Sequence, residues 1–148
     1  MKIISVLFVL LSGFEAWAQQ AEPTPAPTLA GDWVMTQHIC SSGARPWDQF
    51  LIGRDRLEAH FTADRFTTIT DIGRCSAWTT GRYEIKGKTL VLHIDRSSSN
   101  CGPGDRLGSF TYMMQMHDAD AFSLYMGPFR GGTCPAGDLL ENTFERVH

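Results

Sequence analysis

Short runs of alternating apolar residues, joined by connections that go long, short, long, short, constrain this chain more than any other feature. Period-two alternation belongs to strands with one buried face. Such runs lie at 33–39, with Trp33, Met35 and Ile39 on one face, at Leu57, Ala59 and Phe61, and over 66–70. Gly73-Arg74-Cys75 opens a long strand ending at Ile85. Its apolar parity shifts between Trp78 and Tyr83, so a bulge is expected near Gly81. Leu90, Leu92 and Ile94 then share a face, as do Phe110, Tyr112, Met114 and Met116, then Phe122, Leu124 and Met126, before a last strand over about 139–147. Tight turns fall at 62–65, 86–88 and 117–120, and long Gly- and Pro-containing connections at 40–55, 96–108 and 127–138. Eight strands at this spacing predict an all-β fold. The turn rhythm predicts a single eight-stranded, antiparallel, up-and-down barrel with a tight-turned base and a loop-rich mouth.

The cysteines sharpen that expectation. Cys40, Cys75, Cys101 and Cys134 are widely spaced, with no C-x-x-C pair of the kind zinc sites use. In a meander whose first strand ends at the mouth, all of them fall at the mouth. Closure makes the first and last strands neighbours, which allows Cys40–Cys134. The fourth and fifth strands are neighbours already, which allows Cys75–Cys101. Of the possible pairings, this one places both predicted disulfides between adjacent strands.

The start of the chain points to a compartment where disulfides persist. Lys2, an apolar run over 3–11 broken only by Ser5, and Ala16-Trp17-Ala18 together predict a signal peptide over 1–18, with the mature chain starting at Gln19. Residues 19–28 read as a Pro-rich tether, in which Pro23, Pro25 and Pro27 forbid a helix. Residues 29–148 form the barrel domain. No later stretch is long and apolar enough for a membrane helix, so a periplasmic or secreted protein is expected. A net charge of −3 argues against nucleic acid as a partner.

The two ends of this domain carry a resemblance. Leu29-Ala30-Gly31-Asp32-Trp33 contains a G-x-W that resembles the opening signature of lipocalin-like (calycin) barrels. Phe144-Glu145-Arg146 is similar to the aromatic-x-Arg ending of small bacterial lipocalin-like domains. The resemblance implies that Trp33 closes the base and that Arg146 packs on its ring, a favourable cation–π arrangement. It also implies a small hydrophobic or amphipathic molecule as ligand. The opening Leu29-Ala30-Gly31-Asp32-Trp33-Val34 is similar, too, to the start of bacterial inhibitors of secreted metalloproteases, small barrels whose N-terminal arm enters the protease cleft. That likeness implies the alternative of a protein-binding module acting through the mouth loops or the arm.

Phe61, Phe66, Tyr83, Tyr112, Met114, Phe122, Leu124 and Met126 are the inward residues expected to line a ligand pocket, or else to fill the barrel as core. Trp47 with Phe50, and Phe129 with Arg130, are loop residues that either seal the mouth or meet a protein partner. Met113 to His117 holds thioethers and an imidazole, but strand alternation sends Met114 and Met116 one way and Met113 and His117 the other. There is no G-x-S-x-G elbow and no H-E-x-x-H. No catalytic residue, metal site or cofactor is expected, and the protein reads as a binder rather than an enzyme.

Overall fold

The structure is a computed structural model that describes residues 28–46, 50–100, 107–128 and 133–148. Its strands are β1 (Gly31–Cys40), β2 (Arg56–Phe61), β3 (Arg65–Ile72), β4 (Cys75–Lys86), β5 (Thr89–Ser99), β6 (Gly108–Met116), β7 (Ala121–Met126) and β8 (Leu140–Arg146). Each pairs antiparallel with its neighbour in sequence, and β1 pairs with β8, so the sheet closes as an up-and-down barrel. Among the described residues no helix is long and apolar enough to cross a membrane.

Alternation decides what turns inward, and the base takes the largest side chains. Trp33, Phe66 and Phe122 are fully buried there, with Phe61 and Phe144 close behind. Phe122 meets Trp33 edge-on at 4.8 Å and stacks on Phe144 at 5.0 Å, while Phe61 meets Tyr83 edge-on at 5.0 Å. These geometries suit the ring quadrupoles, and burying each ring stabilises by roughly 1.5–3 kcal/mol. The plug is closed from below. Trp33 Nε1 donates to the carbonyl of the buried Leu29 at 2.7 Å, and Arg146 Cζ lies 4.2 Å from the centre of the Trp33 ring. The guanidinium is held there by Ala30 O at 2.6 Å, Ala119 O at 3.0 Å and Asp120 Oδ1 at 3.0 Å. Gly31, with φ of +133°, lies against this group, and a Cβ there would collide with Arg146 Nη1.

At the other end of the same strand pair, Cys40 and Cys134 form a disulfide with a Cα–Cα distance of 5.7 Å. It packs with Leu140, Ala44 and Met126 as a separate small core. Cys75 is also disulfide-bonded, and its expected partner Cys101 lies outside the described residues.

The ladders depart from simple alternation at two places. One is the bulge expected near Gly81, found between Thr80 and Gly81. A Cβ at Gly81 would strike the carbonyl of His93, so the strands approach there only because the side chain is missing. The other was not expected. A register shift between Met35 and Gln37 reverses the parity of upper β1, so His38 and Cys40 turn inward opposite Asn142 and Leu140. Ile39, expected on the same face as Trp33, therefore faces outward opposite Glu141. A third difference concerns length. β5 continues to Ser99, through Ser97↔Thr79 and Ser99↔Ala77, where a loop from 96 onward was expected.

Replacing Arg146 with Ala should lower unfolding free energy by roughly 2–3 kcal/mol, because a cation–π contact and charge-assisted bonds to two carbonyls are lost together. Lys at 146 should recover only part of that, since it keeps the charge but not the planar fork. Urea denaturation of the three proteins measures both differences.

Candidate functional site

Above the aromatic plug the barrel interior changes character on one wall. Following the ladders across β2 to β5, one inward row reads Ala59, Thr68, Thr79, Ser97. The next row towards the mouth reads Leu57, Thr70, Ala77, Ser99. Apart from Leu57 these are small, mostly hydroxylated side chains. Although they point inward, Thr68, Thr70, Ala77 and Thr79 remain partly exposed, unlike the buried aromatic residues of the base. The last β5–β6 pair is Ile94↔Gly108, so Ser97 and Ser99 stand on a part of β5 that runs past the start of β6. The wall opposite is made of larger groups. Leu124 and Met35 are buried there, and Tyr112 is partly buried against the core.

Near β1, Phe50 of the first connection joins the buried cluster. Phe50 is buried, with its ring 5.4 Å from that of His38, whose Nδ1 is 2.6 Å from Asn142 Oδ1. The connection is fixed by Asp55, whose side chain has no exposed surface. Its carboxylate accepts from the Leu51 amide at 2.7 Å, the Gly73 amide at 3.3 Å and both ends of the Arg54 fork at 3.0 Å. Asp55 thus ties the β1–β2 connection to the turn between β3 and β4. The Arg54 guanidinium is the first cause that holds this carboxyl below its usual range, with the two amides adding to it against the opposing effect of burial.

The residues expected to line a pocket are not all brought together. Phe61, Phe66, Met114, Phe122 and Leu124 lie in one buried cluster, and Tyr83 and Tyr112 pack against it. Phe61, Phe66 and Phe122 are plug more than pocket. Tyr83 belongs with them, since its hydroxyl donates to Thr62 O at 2.9 Å and burial raises its pKa. Met126 is not brought to that cluster; it packs beneath the Cys40–Cys134 bridge. Trp47, Phe129 and Arg130 lie outside the described residues. Sequence reading missed the two rows of small residues, the His38–Asn142 pair and the inward turn of Phe50. A serine run at 97–99 without apolar alternation gives no strand signal, and the parity change in β1 falls among polar residues.

A second polar group lies on the outer face. Ser123 Oγ is completely buried, donates to Glu141 Oε1 at 2.8 Å and meets His117 Nε2 at 2.8 Å and Thr143 Oγ1 at 2.9 Å. Both the imidazole and the carboxylate bind the serine itself, so the carboxylate does not orient the imidazole as nucleophilic catalysis requires. Two recesses also lie outside the barrel. One of about 360 Å³ crosses β1 to β3 beside Asp32, His60 and Ile69, and one of about 950 Å³ follows β6 beside Lys88, Met113 and Tyr125. Among the described residues no group of three or more His, Cys, Asp or Glu side chains gathers as a metal site would.

No protein-family model matches this chain, and no curated protein matches it. Among solved structures, a lipocalin-like protein from Bacteroides uniformis is similar, with a TM-score of 0.50 and 16% identity over 80% of this chain and 98% of that one. The chain folds as a lipocalin-like barrel. At that identity the likeness is one of fold, and the lipocalin-like barrel described here has its own interior, plugged below and walled by small hydroxylated residues on β3 to β5.

The Asp55 tie predicts how the mouth of the lipocalin-like barrel responds to pH. A carboxyl with a lowered folded-state pKa stabilises the fold above its unfolded value, and this is lost as pH falls through the folded value. Asp55→Asn should therefore melt lower than the parent at neutral pH, and the gap should close below about pH 4. Thermal melts of both proteins across that range would show it.

Proposed function

We propose that this is an exported binding protein that holds a small hydrophobic or amphipathic molecule in the upper half of its barrel. The observation that carries the reading is the inner wall of Thr68, Thr70, Ala77 and Thr79, which points into a closed barrel yet remains partly exposed. Small side chains facing Tyr112 and Leu124 over an aromatic floor leave room where an ordinary core would have interdigitated. The ligand's apolar body rests on the floor cluster, and Tyr112 and Met114 form its side. The protein binds rather than catalyses, in keeping with a fold used mainly for binding. The leader at 1–18 and the tether at 19–28 deliver it to the periplasm or the exterior, and the Cys40–Cys134 bridge suits either place. The alternative is a protein-binding or protease-inhibiting module acting through the mouth loops or the N-terminal arm, of which Trp47, Phe129 and residues 19–27 lie outside the described residues.

Titration with the uncharged dye N-phenyl-naphthylamine tests the reading. Saturable fluorescence enhancement is expected, and Thr79→Phe, which fills the wall, should weaken it about tenfold or more while far-ultraviolet circular dichroism stays unchanged. Absence of saturable binding to the parent protein, or equal binding to the filled variant, would overturn it.

A further inference from the structure

We infer that the outer face of β1 to β5 is where two copies of this chain meet, the Trp78 of each entering a recess of the other. Ile69 and Trp78 are direct cross-strand partners on that face, and they remain 44% and 42% exposed. Large apolar side chains that adjoin on a solvent face mark contact with a partner. Beside Ile69 the same face is hollowed. The recess of about 360 Å³ is lined by Asp32, Glu58, His60, Thr67, Ile69 and the half-exposed Val147. One face thus carries both an exposed indole and, one strand away, a hollow. An aromatic anchor seated in a pocket is the usual centre of a protein contact.

Two-fold symmetry makes this face complementary to itself. An axis in the plane of contact, parallel to the strands and between β3 and β4, lays β4 of one copy over β3 of the other, and β5 over β2. Trp78 then lies over the second copy's Ile69, at the rim of its recess, and the same contact is made in reverse. The neighbouring outward row of the ladders reads Asp32, His60, Thr67, Thr80, Arg96. The same axis lays Arg96 over the second copy's His60, which is bonded to Asp32. The charges agree with this placement. The recess lining holds two carboxylates and no lysine or arginine, and Asp32, 67% exposed, has only the His60 imidazole as ion partner among the described residues. Arg96 is exposed and pairs with no carboxylate among the described residues. Each flank therefore carries the charge that the other lacks. Arg56 and Arg65 nearby are already paired, with Glu58 and Asp95. Arg96 and Asp32 set the register at the rim, and the apolar centre supplies most of the affinity.

Sedimentation velocity of the purified protein at about 1 to 100 µM and low salt is the experiment. A reversible dimer is expected. Trp78→Ser should weaken it about tenfold or more, as loss of a central aromatic anchor does. Asp32→Arg and Arg96→Asp should each weaken it by a similar factor, with far-ultraviolet circular dichroism like that of the parent. An equimolar mixture of those two variants should dimerise again, because one of its rim contacts is native and the other is reversed on both sides. A parent protein that stays monomeric up to about 100 µM would overturn the inference. So would a dimer that Trp78→Ser leaves at full strength, or a mixture of the two charge variants that stays monomeric.

Discussion

The pairing of β1 with β8 is the interaction on which the rest of this structure depends, and it is secured at both ends. At the base, Arg146 lies over Trp33 and gathers the carbonyls of Ala30 and Ala119. At the mouth, Cys40 is bonded to Cys134, just ahead of β8. A disulfide joining residues 94 apart removes much of the freedom of the unfolded chain, by roughly 4–5 kcal/mol on a loop-closure account whose mechanism is disputed. An open sheet of these strands would present two bare edges, and this seam removes them.

Closure alone does not say whether a barrel is full or hollow; side-chain volume does. The base spends its volume on Trp33, Phe61, Phe66, Phe122 and Phe144, which meet edge-on or stacked and leave nothing for a guest. Higher up, β2 to β5 contribute Ala, Thr and Ser at inward positions while β1, β6 and β7 keep larger groups. The asymmetry gives one cylinder an aromatic base and, above it on β2 to β5, a wall of small side chains. Phe50, near the Asp55 tie, joins the buried cluster and meets the His38 ring on the β1 side.

The sequence made the base legible and the upper wall obscure, for one physical reason. Large apolar residues alternating with polar ones announce a strand, so the eight strands, the closure, the Gly81 bulge and the Cys40–Cys134 neighbours could all be read. Upper β5 carries serines where apolar alternation would announce a strand, and so resembles a loop. The extra residue in upper β1 lies between Met35 and Gln37, where no glycine marks it, and so Ile39 was assigned inward in place of His38. Phe50 sits in a polar connection whose inward turn depends on the distant Gly73 amide through Asp55, a contact no local pattern encodes.

The up-and-down order also fixes where the chain enters and leaves. Gly31 opens β1 and Arg146 ends β8 at the same plugged pole, so the described chain enters and leaves the barrel opposite the Cys40–Cys134 bridge. A tag or solid support joined just past Arg146 is therefore attached at the plugged pole, away from the disulfide-pinned mouth.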